Sequence, residues 1–162
     1  MSETPIHTIY QPESDAPRPG DSIACRVIGT IRTPYKRMED CPSRHNKRDY
    51  LPCTIRLAPE CAPGLVGLAA GGRALVLYWL HLARRDMVQL PARAGVRDKL
   101  VGVFSMRTPV RPNPIAAAVV EIFALRDGEL DVVGLDCLDG TPLLDIKRAR
   151  FYQGSEAAGG LS

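Results

Sequence analysis

Two short segments combine residue types that can bind a ligand or move a proton. The first, RTPVRPNPI at residues 107–115, holds two arginines and three prolines between apolar runs. Proline fixes its own φ angle and biases the preceding residue towards an extended conformation, so this backbone is stiff and its polar groups cannot all join a sheet. The segment therefore predicts either a rigid crossover between strands or one wall of a ligand site. Its local features leave both open.

The second segment, LDCLDGTPLLDIK at residues 135–147, brings three carboxylates and a lysine close to one turn. Asp139 begins the turn, Asp136 precedes it, and Asp145 and Lys147 follow it. Aspartate, glycine and proline are also common in turns that have no other function. One basic and one acidic segment in a small domain nevertheless favour the two sides of a pocket.

Other motifs for catalysis or cofactor binding are missing from the sequence. GLVGLAAGG at residues 64–72 lacks the spacing of a dinucleotide-binding loop, and there is no phosphate loop or Gly-x-Ser-x-Gly elbow. His7, His45 and His81 do not have metal-ligand spacing, and a structural function is the simplest for His81. The five cysteines form no Cys-x-x-Cys pair, so we expect reduced thiols and no metal site.

Charge and hydropathy limit the class of protein. The net charge is +3, but residues 84–111 contain seven bases and two acids. Such a stretch can bind phosphates, and a solvated mixed face is the alternative. The longest apolar run, residues 74–82, is too short to cross a bilayer, and residues 1–20 lack the apolar core of a signal peptide. We expect a cytoplasmic protein with no membrane partner.

Short apolar runs rich in Val, Ile and Leu predict the elements that hold these segments. We expect a helix at residues 59–66 and strands at 23–31, 54–57, 75–82, 100–105, 118–125 and 130–135. Asp127-Gly128 predicts a hairpin turn between the last two strands. Because strands and helices do not alternate, the expected fold is mainly β: a single antiparallel sheet closed into a barrel, with one or two short helices. The domain is expected at residues 22–150, between tails at 1–21 and 151–162.

The two segments, together with IGTIRTPYK at residues 28–36, resemble the TsaA-like or TrmO family of tRNA methyltransferases. The similarity follows the family's order and spacing over residues 24–148. It implies a single β-barrel, S-adenosylmethionine as cofactor, tRNA as partner and assembly into a homodimer. It also implies methyl transfer to N6 of threonylcarbamoyladenosine beside the anticodon. Two alternatives stay open: a different RNA or a small molecule as acceptor, and a module that binds cofactor or RNA without turnover.

The resemblance also implies which residues bind the cofactor. Carried over by position, they are Pro42, Ser43, Arg44, Leu80, His81, Arg107, Ala117, Leu135, Asp136, Cys137, Leu138, Asp139, Gly140 and Thr141. The candidates for contacts to substrate phosphates are Arg84, Arg85, Arg93, Arg97 and Arg111. Because the sulfonium is already activated, catalysis needs mainly alignment and a group that orients the amine and accepts its proton. The candidates for that group are Asp139 and the pair Asp145 and Lys147.

Overall fold

A computed structural model describes residues 16–42, 49–91 and 99–149. Its strands are β1 Gly29–Arg32, β2 Cys53–Leu57, β3 Arg73–Trp79, β4 Gln89–Pro91, β5 Leu100–Gly102, β6 Ile115–Arg126, β7 Glu129–Val133 and β8 Thr141–Arg148. The helices of this part of the chain are short 3-10 helices at Met38–Asp40, Pro59–Leu65 and Val103–Ser105.

Six of the strands form a closed barrel in the order β1, β2, β7, β6, β3, β8. Every neighbouring pair is antiparallel, and β8 returns to pair with β1. Closure pairs every strand on both sides, so the barrel presents no open edge to another chain. β4 and β5 form a separate two-stranded sheet. The predicted fold class, a mainly β antiparallel barrel with short helices, is confirmed.

Alternate side chains of each strand point inward and fill the interior of the barrel. On β3 the inward positions are Ala74, Val76 and Tyr78, which are 0%, 0% and 1% exposed. Ile31 and Ile55 of the neighbouring strands β1 and β2 are fully buried as well. Each large apolar side chain removed from water contributes about 1.5–3 kcal/mol, so this single core supplies the main stabilising term.

The first predicted strand is much shorter than expected. β1 begins at Gly29 instead of residue 23, and Ile23 and Val27 are 73% and 53% exposed. β2, the neighbour of β1, ends at Leu57, and the chain then enters a 3-10 helix at Pro59. Because proline has no N–H to donate, the ladder cannot continue past this point, and the last backbone hydrogen bond on that side runs from the Ala58 N–H to the Ile28 carbonyl at 2.9 Å.

Two other elements differ from their predicted form. The run at residues 100–105 is a strand only as far as Gly102 and continues as a 3-10 helix. The helix predicted at 59–66 is the 3-10 helix Pro59–Leu65, which contains Pro63. Proline inside a helix removes a backbone donor and prevents a regular α-helix. The predicted hairpin turn at Asp127-Gly128 is confirmed, with Gly128 at a φ of 70°.

The sequence did not predict β8, because its residues are preceded and interrupted by turn-forming residues. Asp139 and Gly140 do form a turn, with Gly140 at a φ of 81°, but the chain is a strand from Thr141 onwards. β8 lies between β1 and β3 and closes the barrel. Residues 1–15 of the predicted tail at 1–21, and the whole predicted tail at 151–162, lie outside the described residues, so the domain boundaries stay predictions.

Candidate functional site

One end of the barrel gathers the segments that carry most of the predicted residues. Because neighbouring strands are antiparallel, β1, β3 and β7 end there, while β2, β6 and β8 begin there. We call this the site end. The segments that leave it include residues 33–42, 80–88, 106–114 and 134–140. The topology thus brings the proline-rich segment and the acidic segment to the same end of the molecule.

Residues 134–140 connect β7 to β8 with alternate side chains in the core. Leu135 and Cys137 are 0% and 3% exposed, whereas Asp136 and Leu138 are only partly buried. The predicted cofactor wall therefore has two kinds of residue. Leu135 and Cys137 can meet a ligand only through their backbone, while Asp136 and Leu138 can meet it through their side chains.

The last residues of this connection are held by their own hydrogen bonds. The Thr141 hydroxyl donates to the carbonyl of Leu138 at 2.7 Å, and Thr141 is 2% exposed. The backbone N–H of Gly140 donates to the carbonyl of Ile31 at 2.9 Å. Thr141 and Gly140 therefore shape the turn. In a ligand site they would act indirectly, by fixing the positions of Leu138 and Asp136.

Asp136 is held by a tyrosine that sequence reasoning missed. The Tyr78 hydroxyl donates to Asp136 Oδ1 at 2.7 Å, across 58 residues of sequence. Among the inward-facing side chains of β3, Tyr78 is the one with a polar group, and this is the signal by which the sequence could have identified it. A charge-assisted hydrogen bond of this length fixes the orientation of the carboxylate.

Asp139 belongs to a different cluster, formed with the segment that follows β1. Its carboxylate lies 2.5 Å from Lys36 Nζ and 3.5 Å from Arg32 Nε, and it accepts a hydrogen bond from the Thr33 N–H at 3.1 Å. The hydrogen bond from Lys36 is the main cause that lowers the pKa of Asp139. A carboxylate held in its charged form is a weak proton acceptor, so the structure favours an anchoring function over the predicted catalytic one.

Asp145 and Lys147 are not brought to the site end. They form an ion pair of 2.6 Å on β8, and both side chains are substantially exposed. The residue between them, Ile146, packs against the core, so alternation directs the two charged side chains to the outer face of the barrel. Their predicted catalytic function has no geometric support, and a surface ion pair explains their position.

In the proline-rich segment the two arginines hold the loop in place. Arg107 Nη2 donates to the carbonyl of Ala117 on β6 at 2.9 Å, so two predicted cofactor-binding residues are in direct contact. The Arg111 guanidinium donates to the carbonyls of Val103, Met106 and Thr108 at 3.0, 2.6 and 3.0 Å. Arg111 therefore stabilises its own loop, and its predicted phosphate contact gains no support from this geometry.

Residues that follow β3 lie beside the proline-rich segment. The Leu80 N–H donates to the Pro114 carbonyl at 2.9 Å, and Leu80 packs partly against the core while His81 is exposed. Arg85 lies over the ring of Trp79, 4.9 Å from its centroid. Arg84, by contrast, makes an ion pair of 2.7 Å with Asp86.

Of the remaining residues predicted to contact cofactor or substrate, the structure describes only Pro42. Pro42 is half-buried, and its neighbour Cys41 lies within electrostatic reach of Asp136. Burial raises the pKa of the Cys41 thiol, and the negative charge of Asp136 raises it further. Ser43, Arg44, Arg93 and Arg97 lie outside the described residues, so their predicted contacts stay predictions.

Other kinds of site receive no support from the described residues. Within ranges 16–42, 49–91 and 99–149 no group of three or more His, Cys, Asp or Glu side chains could hold a metal ion. In the same ranges no helix is long and apolar enough to cross a membrane. Two hollows of about 160 and 510 Å³ adjoin Arg73 and Ile122. Arg73 begins β3, and the second hollow is also lined by Val133, the last residue of β7.

The fold defines a class: a small closed antiparallel barrel whose candidate site lies at the end where several connecting loops meet. Residues 30–152 match the model of the tRNA-methyltransferase O N-terminal domain. This chain therefore belongs to the tRNA-methyltransferase O (TrmO) family, in agreement with the resemblance seen in the sequence.

Relatives and solved structures agree with the assignment. "Probable S-adenosyl-L-methionine-binding protein VirR" of Rhizobium radiobacter is 44% identical over 83% of this chain and 74% of its own length. A "Probable S-adenosyl-L-methionine-binding protein" of Methanothermobacter thermautotrophicus is 40% identical over 85% of this chain and 96% of its own length. The crystal structure of TrmO from Pseudomonas aeruginosa matches with a TM-score of 0.66, at 26% identity over 86% of this chain.

Another TrmO crystal structure matches with a TM-score of 0.68, at 28% identity over 87% of this chain. The matches span 64% and 61% of those two solved chains, so this chain corresponds to somewhat less than two thirds of their length.

Proposed function

We propose that the protein is an S-adenosylmethionine-dependent methyltransferase that acts on N6 of threonylcarbamoyladenosine beside the tRNA anticodon. The observation that carries the proposal is the convergence, at one end of a TrmO-type barrel, of the proline-rich and acidic segments. The names of the relatives as S-adenosyl-L-methionine-binding proteins support the cofactor.

The residues at the site end suit the chemistry of this cofactor. Its ammonium group and ribose hydroxyls are hydrogen-bond donors, and its adenine ring has apolar faces. Asp136 offers a partly exposed carboxylate, and Leu80 and Leu138 offer partly exposed apolar side chains. A mainly apolar site with a few placed polar groups is typical of cofactor pockets. When bound, the cofactor supplies an activated methyl group.

The chain's own contribution to the reaction is alignment and exclusion of water. The prolines of residues 107–115 and the hydrogen bonds of Arg111 hold one side of the site rigid before a ligand arrives. Since Asp139 is stabilised as an anion by Lys36, the amine proton leaves to solvent in our proposal, and Asp139 keeps the segment after β1 in place.

An exposed basic and aromatic surface beside the site end suits an RNA acceptor. Arg85 stacked on Trp79, together with exposed His81 and Arg107, gives both positive charge and ring surface. A base in an anticodon loop is not held in a Watson–Crick pair, so less energy is needed to present it than in a duplex. Arg84 is less available for phosphate, because Asp86 already neutralises it.

Nucleoside mass spectrometry tests the whole proposal. tRNA that contains threonylcarbamoyladenosine is incubated with purified protein and S-adenosylmethionine, digested and compared with a reaction without protein. We expect this nucleoside to become one methyl group heavier. Cofactor binding without any change in tRNA would rule out the acceptor and leave another RNA or a small molecule. Absence of cofactor binding in calorimetry would rule out the proposal as a whole.

A further inference from the structure

We propose that residues 80–91 and 99–114 form an arm that binds the unpaired loop of the RNA acceptor, with Phe104 as the side chain on which a base stacks. The inference rests on the proposed function and adds to it the surface that recognises single-stranded RNA. Such recognition needs an aromatic ring that is exposed, carried on a rigid backbone and placed among positive charges. Phe104 and its neighbours meet these three conditions.

Backbone hydrogen bonds join the two segments of the arm along its length. Beside the barrel, the Leu80 N–H donates to the Pro114 carbonyl at 2.9 Å. Further along, the Val103 N–H donates to the Val88 carbonyl at 3.0 Å, and β4 then pairs with β5. The arm is therefore one connected structure that begins at the site end and extends to the small sheet.

The arm exposes several large apolar side chains. Phe104 is 80% exposed and is the most exposed aromatic residue in the described part of the chain. Leu82, Val88 and Leu100 of the same arm are 73%, 59% and 59% exposed. Single exposed apolar side chains are common on protein surfaces, but four on one short arm indicate a binding surface. Of these four, Phe104 is the one with an aromatic face on which a base can stack.

The backbone on both sides of Phe104 is held in place. Val103 is 0% exposed, and the Ser105 hydroxyl donates to the Gly102 carbonyl at 2.8 Å. The Arg111 guanidinium donates to the Val103 carbonyl at 3.0 Å, which ties this 3-10 helix to the proline-rich segment. Because the backbone is already ordered, a base that stacks on the ring costs little further backbone entropy.

The charge of the arm favours a nucleic acid over a second copy of the chain. The arm has five basic residues and one acidic residue, namely Arg84, Arg85, Lys99, Arg107, Arg111 and Asp86. A second copy docked arm to arm would bring the same excess of positive charge, which opposes association, whereas phosphates neutralise it. Arg85 over the ring of Trp79 adds a second stacked surface where the arm leaves β3.

Fluorescence anisotropy with two RNA probes tests the inference. One probe is an anticodon stem-loop, and the other is a blunt duplex with the same number of nucleotides. We expect Phe104→Ala to weaken stem-loop binding by about fivefold or more and to change duplex binding by less than about twofold, because only unpaired bases stack on the ring. The slope of affinity against salt should not change, since the ring carries no charge. Stem-loop binding by Phe104→Ala equal to that of the wild type would overturn the inference.

Three further variants separate stacking from other functions of the side chain. Phe104→Trp keeps an aromatic face and should bind the stem-loop like the wild type, whereas Phe104→Leu keeps only apolar area and should bind like Phe104→Ala. Phe123→Ala is the matched control, because it removes a ring that is 50% exposed near the far end of β6 and should leave the affinity unchanged. Wild-type affinity in Phe104→Leu, or equal losses in Phe104→Ala and Phe123→Ala, would overturn the stacking function.

Light scattering, calorimetry and nucleoside analysis complete the test. If Phe104→Ala lowers the mass of the particle and loses RNA affinity only as a result, the arm joins copies of the chain and the inference is overturned. Equal loss of S-adenosylmethionine and RNA affinity in Phe104→Ala would also overturn it. Stem-loop binding that depends on Phe104 without methylation of threonylcarbamoyladenosine would support the inference and overturn the proposed acceptor. A wild type that binds cofactor but no stem-loop would overturn the inference.

Discussion

At the scale of single residues, the chemistry of each carboxylate is decided by its neighbours. Asp136, Asp139 and Asp145 lie within ten residues of sequence and have a tyrosine hydroxyl, a group of cations and one exposed lysine as partners. Each set of partners gives its carboxylate a different setting: a tyrosine hydrogen bond for Asp136, a cluster of cations for Asp139 and an exposed ion pair for Asp145.

Asp139→Asn tests the anchoring function. We expect a loss of about 1–2 kcal/mol in the free energy of unfolding at neutral pH, because the ion pair with Lys36 is lost. Folding lowers the pKa of Asp139 below its ordinary value of 3.8, so its stabilising contribution is full above that pH and disappears as the pH falls through the folded value. The difference between variant and wild type, measured by urea denaturation, should therefore narrow below about pH 4.

Asp145→Asn is the control for that measurement. Its ion pair with Lys147 is exposed, with side-chain exposures of 42% and 60%, so it should change stability by less than about 0.5 kcal/mol. Equal losses in the two variants would contradict the anchoring function of Asp139.

We expect the cysteine thiols to differ in reactivity because they differ in burial. Burial raises the pKa of Cys53 to about 11 and that of Cys137 to about 12, whereas Cys25 is exposed. Since the thiolate is the reactive form, we expect iodoacetamide at about pH 8 to label Cys25 and to spare Cys53 and Cys137 in the folded protein. Mass spectrometry with and without urea checks this, and rapid labelling of Cys137 without urea would contradict the buried position of its connection.

At the scale of elements, the connection between β7 and β8 depends on one glycine. Gly134 combines a φ of 122° with an approach that would put an added Cβ 3.0 Å from the Val119 carbonyl oxygen and 3.4 Å from the Val120 Cα. Gly134→Ala should therefore cost about 1–3 kcal/mol of stability and weaken cofactor binding through displaced Asp136. Gly64→Ala is the control, because nothing lies within 4 Å of its added Cβ, and it should be close to neutral. Urea denaturation and calorimetry measure both effects.

The proline-rich loop depends in a similar way on Arg111. Its guanidinium satisfies three carbonyls at once, a geometry that a lysine ammonium cannot reproduce from one point. We expect Arg111→Lys to lower the free energy of unfolding by about 1–3 kcal/mol. It keeps the positive charge, so the salt dependence of tRNA binding should not change. A large change in that salt dependence with normal stability would support the predicted phosphate contact instead.

At the scale of the whole molecule, exposed apolar side chains on the outer face of the barrel lead us to predict a homodimer. Ile115, Val119 and Phe123 on β6 are 40%, 38% and 50% exposed, and the family resemblance implies a homodimer. We expect light scattering to give the mass of a dimer, and Val119→Lys to shift it towards a monomer because a desolvated lysine opposes association. Val66→Lys, at an 89% exposed position in the connection between β2 and β3, should leave the mass unchanged. A monomeric wild type would contradict the prediction.

Local patterns in the sequence were sufficient for the class of fold and for part of the site. Alternating apolar residues predicted β2, β3, β6 and β7 to within a few residues, and Asp127-Gly128 predicted the hairpin between β6 and β7. Strand alternation and turn type are both properties of neighbouring residues, so the sequence alone reveals them. The motifs around residues 107–115 and 135–147 indicated the family. The first segment and the part of the second that precedes β8 both lie at the site end.

The sequence by itself determined a mainly β barrel of the TrmO family and the segments that line one end of it. Only the tertiary structure decided the function of each charged side chain there. Tyr78 reaches Asp136 across 58 residues, Asp139 reaches Lys36 across 103, and β8 turns Asp145 and Lys147 to the outer face. These partners are set by barrel closure and strand register, which depend on contacts between distant parts of the chain, so no pattern of neighbouring residues specifies them.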